Sequence, residues 1–469
     1  MRSRELALPV DPDADLPLYR QLAAALAAQV QDGRLVAGDA LPSTRDLAAQ
    51  CGVTRNTVLA AFRELHADGW VESRPGSGTF VAPPSTREPL KGKTGAGVEP
   101  AFDLPSLGES ISHGVPATLD LREDWPDARL LPADLLGRTY RMAMDFRSAE
   151  VLGPGGSGAA DSFCRVLAQW LGERWGVWRE PSSLLATLGE AGALEIALRG
   201  LLKPGARVLA LAEPPPALQQ RVTALGLELE SLAWSLDGPD LAGLENAPAS
   251  LILVPGDLAT GRPGWNEANR NACLDLARRR RMPVLELEGA RELFDARRPA
   301  LPLAAQDPHG VCLLAGGFER TLAPGLRLGY LLGPAAPMRA LGRLGRKLGL
   351  VGDPLLATVL TRIMEEGELA RFFRKVRPLY ARRRAGARRT LATALGPGFR
   401  IDAPEAGLGL WLQPPAGLEA AAWIRAAAGR GLRLPTPAGE GFWLGFGALT
   451  PEAFGAAATI MAETLPGGR

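Results

Sequence analysis

Four short apolar runs in the middle of the chain, 207–212, 251–255, 284–287 and 311–315, alternate with stretches whose apolar residues recur at helical spacing. This alternation constrains the fold more than any other feature, because it argues for a mostly parallel sheet covered by helices, an α/β domain. We place that large domain at residues 116–395. A few short strands and helices follow, read as a small C-terminal α+β subdomain over 396–469. The remaining length leaves room for a further unit at the N-terminus, and no internal repeat is present.

Composition narrows the class. Apolar residues make up 46% and charged residues 22% of the 469, the balance of an ordinary soluble globular chain and not of a disordered one. No apolar run reaches the roughly 18–20 residues of a membrane span. The nearest stretch, 406–424, is broken by Gln413, Pro414, Pro415 and Glu419. The first fifteen residues lack an apolar secretory core and turn acidic at once, so no signal peptide and no membrane partner is expected. Cys51, Cys164, Cys273 and Cys312 have neither CxxC spacing nor histidine partners. They read as reduced core thiols of a cytoplasmic protein. His66, His113 and His309 are isolated, and no metal site is expected.

Residues 10–82 read as one compact unit and 83–115, rich in Pro, Ser, Thr, Lys and Gly, as a linker. Leu18, Leu22, Leu26 and Val30 mark a first helix, with Gly33 as its stop. Ser43 precedes a short second helix ended by Cys51-Gly52, and Thr54 opens a third, Arg55 to Ala67. Residues 70–74 and 79–82 then read as two strands around a glycine-rich turn. This is a winged helix-turn-helix arrangement, and it predicts how double-stranded DNA would be met. Arg55 suits a guanine edge, Asn56 an adenine, and Thr54 and Thr57 suit phosphates, while Ser43 and Arg45 reach the backbone. Gly76 and Gly78 would let the wing tip approach the minor groove. Charge alone does not choose between DNA binding and a protein-docking module. The net charge is only +2, and residues 17–82 hold six Arg against six Asp and Glu.

The wording of the motifs does choose. Leu41-Pro42-Ser43-Thr44-Arg45-Asp46-Leu47-Ala48, Gly52-Val53-Thr54-Arg55-Asn56-Thr57-Val58 and Gly76-Ser77-Gly78-Thr79-Phe80-Val81 closely resemble the GntR-type DNA-binding domain. The resemblance implies operator contacts at Arg45, Arg55 and the wing glycines. The rest of the chain resembles a fold-type I aminotransferase-like domain, in the form found in MocR/GabR-type regulators. Three stretches carry the likeness: Asp120-Leu121-Arg122 with Pro126-Asp127 and Leu131-Pro132, Thr187-Leu188-Gly189 as the phosphate-cup turn, and the catalytic-lysine segment Gly316 to Tyr330.

Against that family's pyridoxal phosphate (PLP) chemistry the site residues disagree. The lysine position is Arg320, whose guanidinium stays protonated and does not serve as an imine-forming amine. Leu287 stands where the family places the aspartate facing the pyridine nitrogen, Gly289 where it places a tyrosine, and Gly317 where it places a phosphate-side serine. Glu190 puts an anion beside any phosphate, and the aromatic expected after Glu213 is absent from Pro214-Pro215-Pro216-Ala217. Of the matched positions, Arg327 keeps the family's phosphate arginine. Only five lysines exist in the chain, Lys91, Lys93, Lys203, Lys347 and Lys375, and none falls near a strand end beside Arg327. No catalytic residue and no covalent cofactor are therefore expected.

Two alternatives remain for the pocket. In one it is a dimerisation scaffold with a filled or idle site, Arg320 paired to Glu319 and Arg327 holding loops together. In the other Arg320, Arg327 or both bind a small anionic effector, non-covalent PLP included. The arginine runs 278–281 and 382–384 read as solvated helix ends or faces, with a further option of helping DNA wrap the large domain. The expected protein is a homodimeric, sequence-specific DNA-binding transcriptional regulator. The rival reading is a PLP-dependent aminotransferase with an accessory DNA-binding domain.

Overall fold

The structure, a computed structural model, describes residues 16–74, 77–83, 119–153, 157–212, 214–235, 238–256, 265–293, 301–403, 407–437 and 441–466, with Leu8, Val10 and Asp11. It divides into two compact units, Met1–Ile111 and Ser112–Arg469. Gly76, Lys91, Lys93, His113, Glu213 and most of the expected linker lie outside the described residues.

The first unit runs α1 (Leu18–Gln31), α2 (Thr44–Cys51), α3 (Arg55–Ala67), β1 (Val71–Arg74) and β2 (Gly78–Val81). Each boundary has a local cause. The Ser43 side chain accepts the Asp46 N–H and caps α2, and the Thr54 side chain accepts the Thr57 N–H and caps α3. Gly52, at φ 66°, ends α2 in the left-handed conformation that lets the chain turn into α3. Leu22 and Leu26 of α1, Leu47 of α2, and Val58, Phe62 and Leu65 of α3 close on Val71 and Val81 of the antiparallel hairpin. Leu8 joins this core, so the packed unit begins ahead of the expected residue 10.

The second unit opens with β3 (Leu119–Asp120), α4 (Ala133–Leu152) and α5 (Ser157–Trp175). Next come β4 (Leu184–Thr187), α6 (Gly189–Leu201), β5 (Arg207–Ala210), α7 (Pro216–Ala224) and β6 (Glu228–Ser231). A ribbon of β7 (Trp234–Ser235) and β8 (Gly238–Pro239) and helix α8 (Leu241–Asn246) lead to β9 (Leu251–Val254) and α9 (Glu267–Arg279). The large layer is completed by β10 (Val284–Leu287), α10 (Leu303–Gln306), β11 (Cys312–Gly317), β12 (Gly329–Leu332), α11 (Ala335–Leu348), α12 (Pro354–Glu365) and α13 (Glu368–Leu395). The small α+β part holds β13 (Arg400–Asp402), β14 (Gly409–Gln413), α14 (Ala420–Gly429), β15 (Leu432–Arg433), β16 (Phe442–Gly445) and α15 (Pro451–Glu463).

Seven strands form the central sheet in the order β4-β12-β11-β10-β9-β5-β6. The pairs β11/β10, β10/β9, β9/β5 and β5/β6 are parallel, and β12 runs antiparallel to both neighbours. Every residue of β9, β10 and β11 is buried, as expected for strands covered by helices on both faces. The register of the antiparallel strand matters most for the site. Gly317 of β11 pairs with Gly329 of β12, which pairs with Thr187 of β4. Three strand ends, two of them more than a hundred residues from the third in sequence, thus meet on one line at the start of α6. The small part is built on the antiparallel sheet β13-β14-β16, and β15 pairs in parallel with β3.

Three of the cysteines, Cys164, Cys273 and Cys312, are buried free thiols as expected. Cys51 differs, being half-buried at the end of α2 rather than in the core.

Candidate functional site

In the first unit the candidate DNA-contacting residues gather at the start of two consecutive helices. Ser43 and Arg45 stand at the N-terminus of α2, and Thr54, Arg55, Asn56 and Thr57 at that of α3. Arg45, Arg55 and Asn56 are exposed. Arg55 Nε donates to Thr44 Oγ1 at 3.3 Å, which ties the first turn of α3 to that of α2 across the Gly52 turn. Ser43, Thr54 and Thr57 have a second task. Ser43 Oγ donates to Asp46 at 2.7 Å, and the Thr54 and Thr57 hydroxyls lie 2.8 Å apart. Their oxygens hold the helix ends, and those ends point unpaired N–H groups outward, where phosphate is favoured. Gly78, at φ 116°, adopts a backbone that only glycine enters readily, next to the wing tip. The sequence reading passed over Arg74. Its guanidinium lies over the Phe80 ring at 4.5 Å and bonds Glu72 at 2.6 Å, which fixes the base of the wing.

In the second unit the candidate residues gather around the start of α6 and the end of β11. Arg320 ends the short helical turn Phe318–Arg320 that follows β11. Its Nη1 donates to Asp124 at 3.0 Å, its Nε lies 3.6 Å from Glu190, and the guanidinium stacks on Trp125 at 4.5 Å. Burial alone would lower its pKa, but Glu190, Asp124, Glu123 and Glu319 together raise it, so the cation is locked. The expected pairing of Arg320 with Glu319 is not the one formed. The chain turns the two neighbours apart, and Glu319 instead accepts the Glu190 N–H at 2.6 Å. Glu190, Glu123 and Glu319 all have carboxyls pushed above the ordinary range, in each case chiefly by burial.

Leu287 is 5% exposed and packs in an apolar cluster with Leu285, Leu313 and Ala315. Gly289, at φ 67°, approaches Gly256 so closely that a Cβ there would stand 2.7 Å from the Gly256 carbonyl oxygen. A tyrosine at 289 is therefore barred by backbone, not merely missing. Lys203, Lys347 and Lys375 are all exposed, the first in the turn after α6 and the others on α11 and α13. The residues present do not fit PLP. Arg320 is a paired guanidinium and not an amine, Leu287 lies in an apolar cluster that offers a ring nitrogen no carboxylate, and the start of α6 already holds the Glu319 carboxyl.

The expectations for an anionic effector divide. Arg320 is already engaged by carboxylates, so an incoming anion would have to displace them. Arg327 is exposed and forms no ion pair among the described residues. A groove of about 440 Å³ among α4, α5 and α12, lined by Thr139, Ser162, Thr361 and Arg362, involves neither arginine. Among the described residues no group of three or more His, Cys, Asp and Glu side chains is placed to hold a metal.

One further expectation is corrected. The arginine runs are not simply solvated. Arg280 donates to the Leu244 and Ala247 carbonyls at 2.9 and 2.7 Å, and Arg383 bonds Asp127 at 2.9 Å and the Gly447 carbonyl at 2.9 Å. Asp127 is a clamp that sequence reading had only as part of a motif. It is 4% exposed, its N–H donates to the Tyr380 hydroxyl at 2.9 Å, and it also pairs with Arg129 at 2.7 Å. Burial acts to raise its pKa, but the hydrogen bonds from Arg129 and Arg383 outweigh it and hold the carboxyl below the usual range.

A capped helix-turn-helix with a hairpin, and a seven-stranded, mostly parallel sheet carrying a small α+β part, together define a winged helix-turn-helix region joined to a fold-type I aminotransferase-like domain. The family model for bacterial regulatory proteins, gntR family, matches residues 18–81, and the first unit is a GntR helix-turn-helix domain. Over most of its length the chain is similar to regulators of the MocR and PdxR type. It is 28% identical over 468 residues to the probable rhizopine catabolism regulatory protein MocR of Rhizobium meliloti, covering 95% of this chain and 93% of that protein. It is 27% identical over 411 residues to the HTH-type pyridoxine biosynthesis transcriptional regulator PdxR of Corynebacterium glutamicum, covering 82% of each. Among solved structures, the alpha-aminoadipate aminotransferase LysN of Thermus thermophilus aligns with a TM-score of 0.66 at 21% identity, over 74% of this chain and 92% of that one. That likeness shows the fold alone.

Proposed function

We propose that the chain is a sequence-specific DNA-binding transcriptional regulator whose aminotransferase-like domain works without covalent PLP and is not an enzyme. The observation that carries this reading is Arg320, which the sequence resemblance matches to the imine lysine, held by Asp124, Glu190 and Trp125. In this reading residues 10–82 meet operator DNA, 83–115 tether them, and the domain of 116–395 with its 396–469 appendage joins two copies. Two GntR domains on tethers of this kind engage two half-sites and gain affinity by linkage. An exposed Arg327, without an ion pair among the described residues, supports an anion-sensing role for that residue alone. We place the protein in the cytoplasm, where a GntR-type DNA-binding domain would meet its operator.

The test is binding of the purified full chain to DNA from upstream of its own gene, run beside sedimentation at micromolar concentration. The reading expects a dimer and a specific complex. A monomer with full operator affinity would remove the dimer, and no preference over unrelated DNA would remove the regulator.

A further inference from the structure

Helix α6 starts immediately beyond the end of β4, so its first-turn N–H groups face the sheet edge where β11 and β12 also meet. A helix N-terminus after a strand carries partial positive charge and unpaired donors, and it favours an anion. In this chain that terminus has an occupant from 129 residues away. Glu319 Oε1 accepts the Glu190 N–H at 2.6 Å, with the side chain 9% exposed. Its second oxygen, Oε2, is buried and has no hydrogen-bond partner.

The surrounding backbone is shaped to this carboxyl. A Cβ on Gly189 would collide with Oε1, and a Cβ on Gly317 would collide with Oε2. Gly329 completes the cradle, since a Cβ there would run into the Gly189 backbone. The neighbouring cation attracts this carboxyl from a distance but makes its ion pairs with Asp124 and Glu190 instead. A carboxyl favoured by backbone N–H groups, its own and that of Glu190, with Oε2 left without a hydrogen-bond partner, is seated as a guest anion would be.

We propose that Glu319 is a tethered anion that fills the oxyanion seat at the start of α6 from within the chain, so that phosphate and phosphate monoesters are refused there. The proposal rests on the reading that this domain holds no PLP. Inorganic phosphate has no aldehyde, so it probes the seat separately from any lysine chemistry.

The experiment titrates inorganic phosphate into the full-length wild type, Glu319→Ser and Glu319→Gln, against chloride at matched ionic strength, by calorimetry and thermal melting. Wild type and Glu319→Gln, whose side chain keeps the seat filled, are expected to show no phosphate-specific response. Glu319→Ser is expected to bind phosphate at least about ten-fold more tightly than wild type, as a freed charge-assisted N–H contact allows, and to melt at higher temperature with it. If Glu319→Ser does not fold in chloride, recovery of folding in phosphate supports the seat. The proposal is overturned if wild type binds phosphate as well as Glu319→Ser does, or if folded Glu319→Ser gains nothing. It is also overturned if Glu319→Ser stays unfolded in both salts while Glu319→Gln is as stable as wild type, because the side chain then matters only for packing.

Discussion

The two units carry their candidate sites in opposite ways. In the GntR domain the residues expected to meet a ligand are the residues that begin a helix. Thr54, Arg55, Asn56 and Thr57 follow one another, and the cap that starts α3 also presents them. In the aminotransferase-like domain the corresponding residues come from β4, α6, β10, β11 and the segment before α4, and only sheet register brings them together. A local site survives as long as its helix does. A site assembled from distant segments can lose its contents residue by residue while the strands that framed it stay packed.

That contrast can be broken experimentally, beginning with the largest effect. Asp127 belongs to the framework, not the contents, so Asp127→Ala is expected to destabilise the second unit by about 3 kcal/mol, the cost of stranding a buried partner, as read by denaturant unfolding. Because the Asp127 carboxyl is held below its usual range, its contribution is present at neutral pH and fades as pH falls through that lowered value. Wild-type stability in the variant would show that the clamp is incidental.

In the local site, Arg55→Ala is expected to cost roughly 1–3 kcal/mol of operator binding and to relax preference at one position. Arg45→Ala should weaken all sequences alike and reduce the slope of log K against log salt by about one. Equal loss of specificity in both variants would overturn the assignment of base edge to one and backbone to the other.

A smaller effect is expected from Glu319→Gln on the pH profile of melting. With its carboxyl raised by burial, Glu319 contributes stability below about 4.5 that is lost as pH rises through the folded-state value. The variant should flatten that decline without abolishing it, since Glu123 and Glu190 are raised in the same direction. An unchanged slope would mean that the carboxyl is not buried in solution. The smallest effect is a null one. Arg320→Lys, alone or with Leu287→Asp, should gain no stoichiometric PLP binding, because Glu319 and the Gly256–Gly289 contact still occupy the pocket.

How much of this was legible beforehand follows the same division. The helices, caps and hairpin of the first unit were readable because Ser43, Gly52 and Thr54 act within a few residues of themselves. Of the seven sheet strands, β5, β9, β10 and β11 were readable from their mostly apolar runs, whereas β6, Glu-Leu-Glu-Ser, carries no such signal, and Arg320 and Leu287 were readable as departures from the resemblance. What they do instead was not. Adjacency suggested that Glu319 would pair with Arg320, whereas the partners Asp124 and Glu190 are 196 and 130 residues away and depend on tertiary packing. The bar on a tyrosine at Gly289 likewise depends on the β9 and β10 ends touching, which no spacing along the chain reveals.

The central claim is that the aminotransferase-like domain has no covalent PLP chemistry, and one measurement addresses it directly. Purified full-length protein is mixed with excess PLP, its absorbance recorded, and the sample reduced with borohydride and mapped by mass spectrometry. The account predicts no cofactor absorbance retained after desalting and no reduced adduct above background at any lysine. Retained yellow colour, with a stoichiometric adduct on Lys203, Lys347 or Lys375, would contradict it.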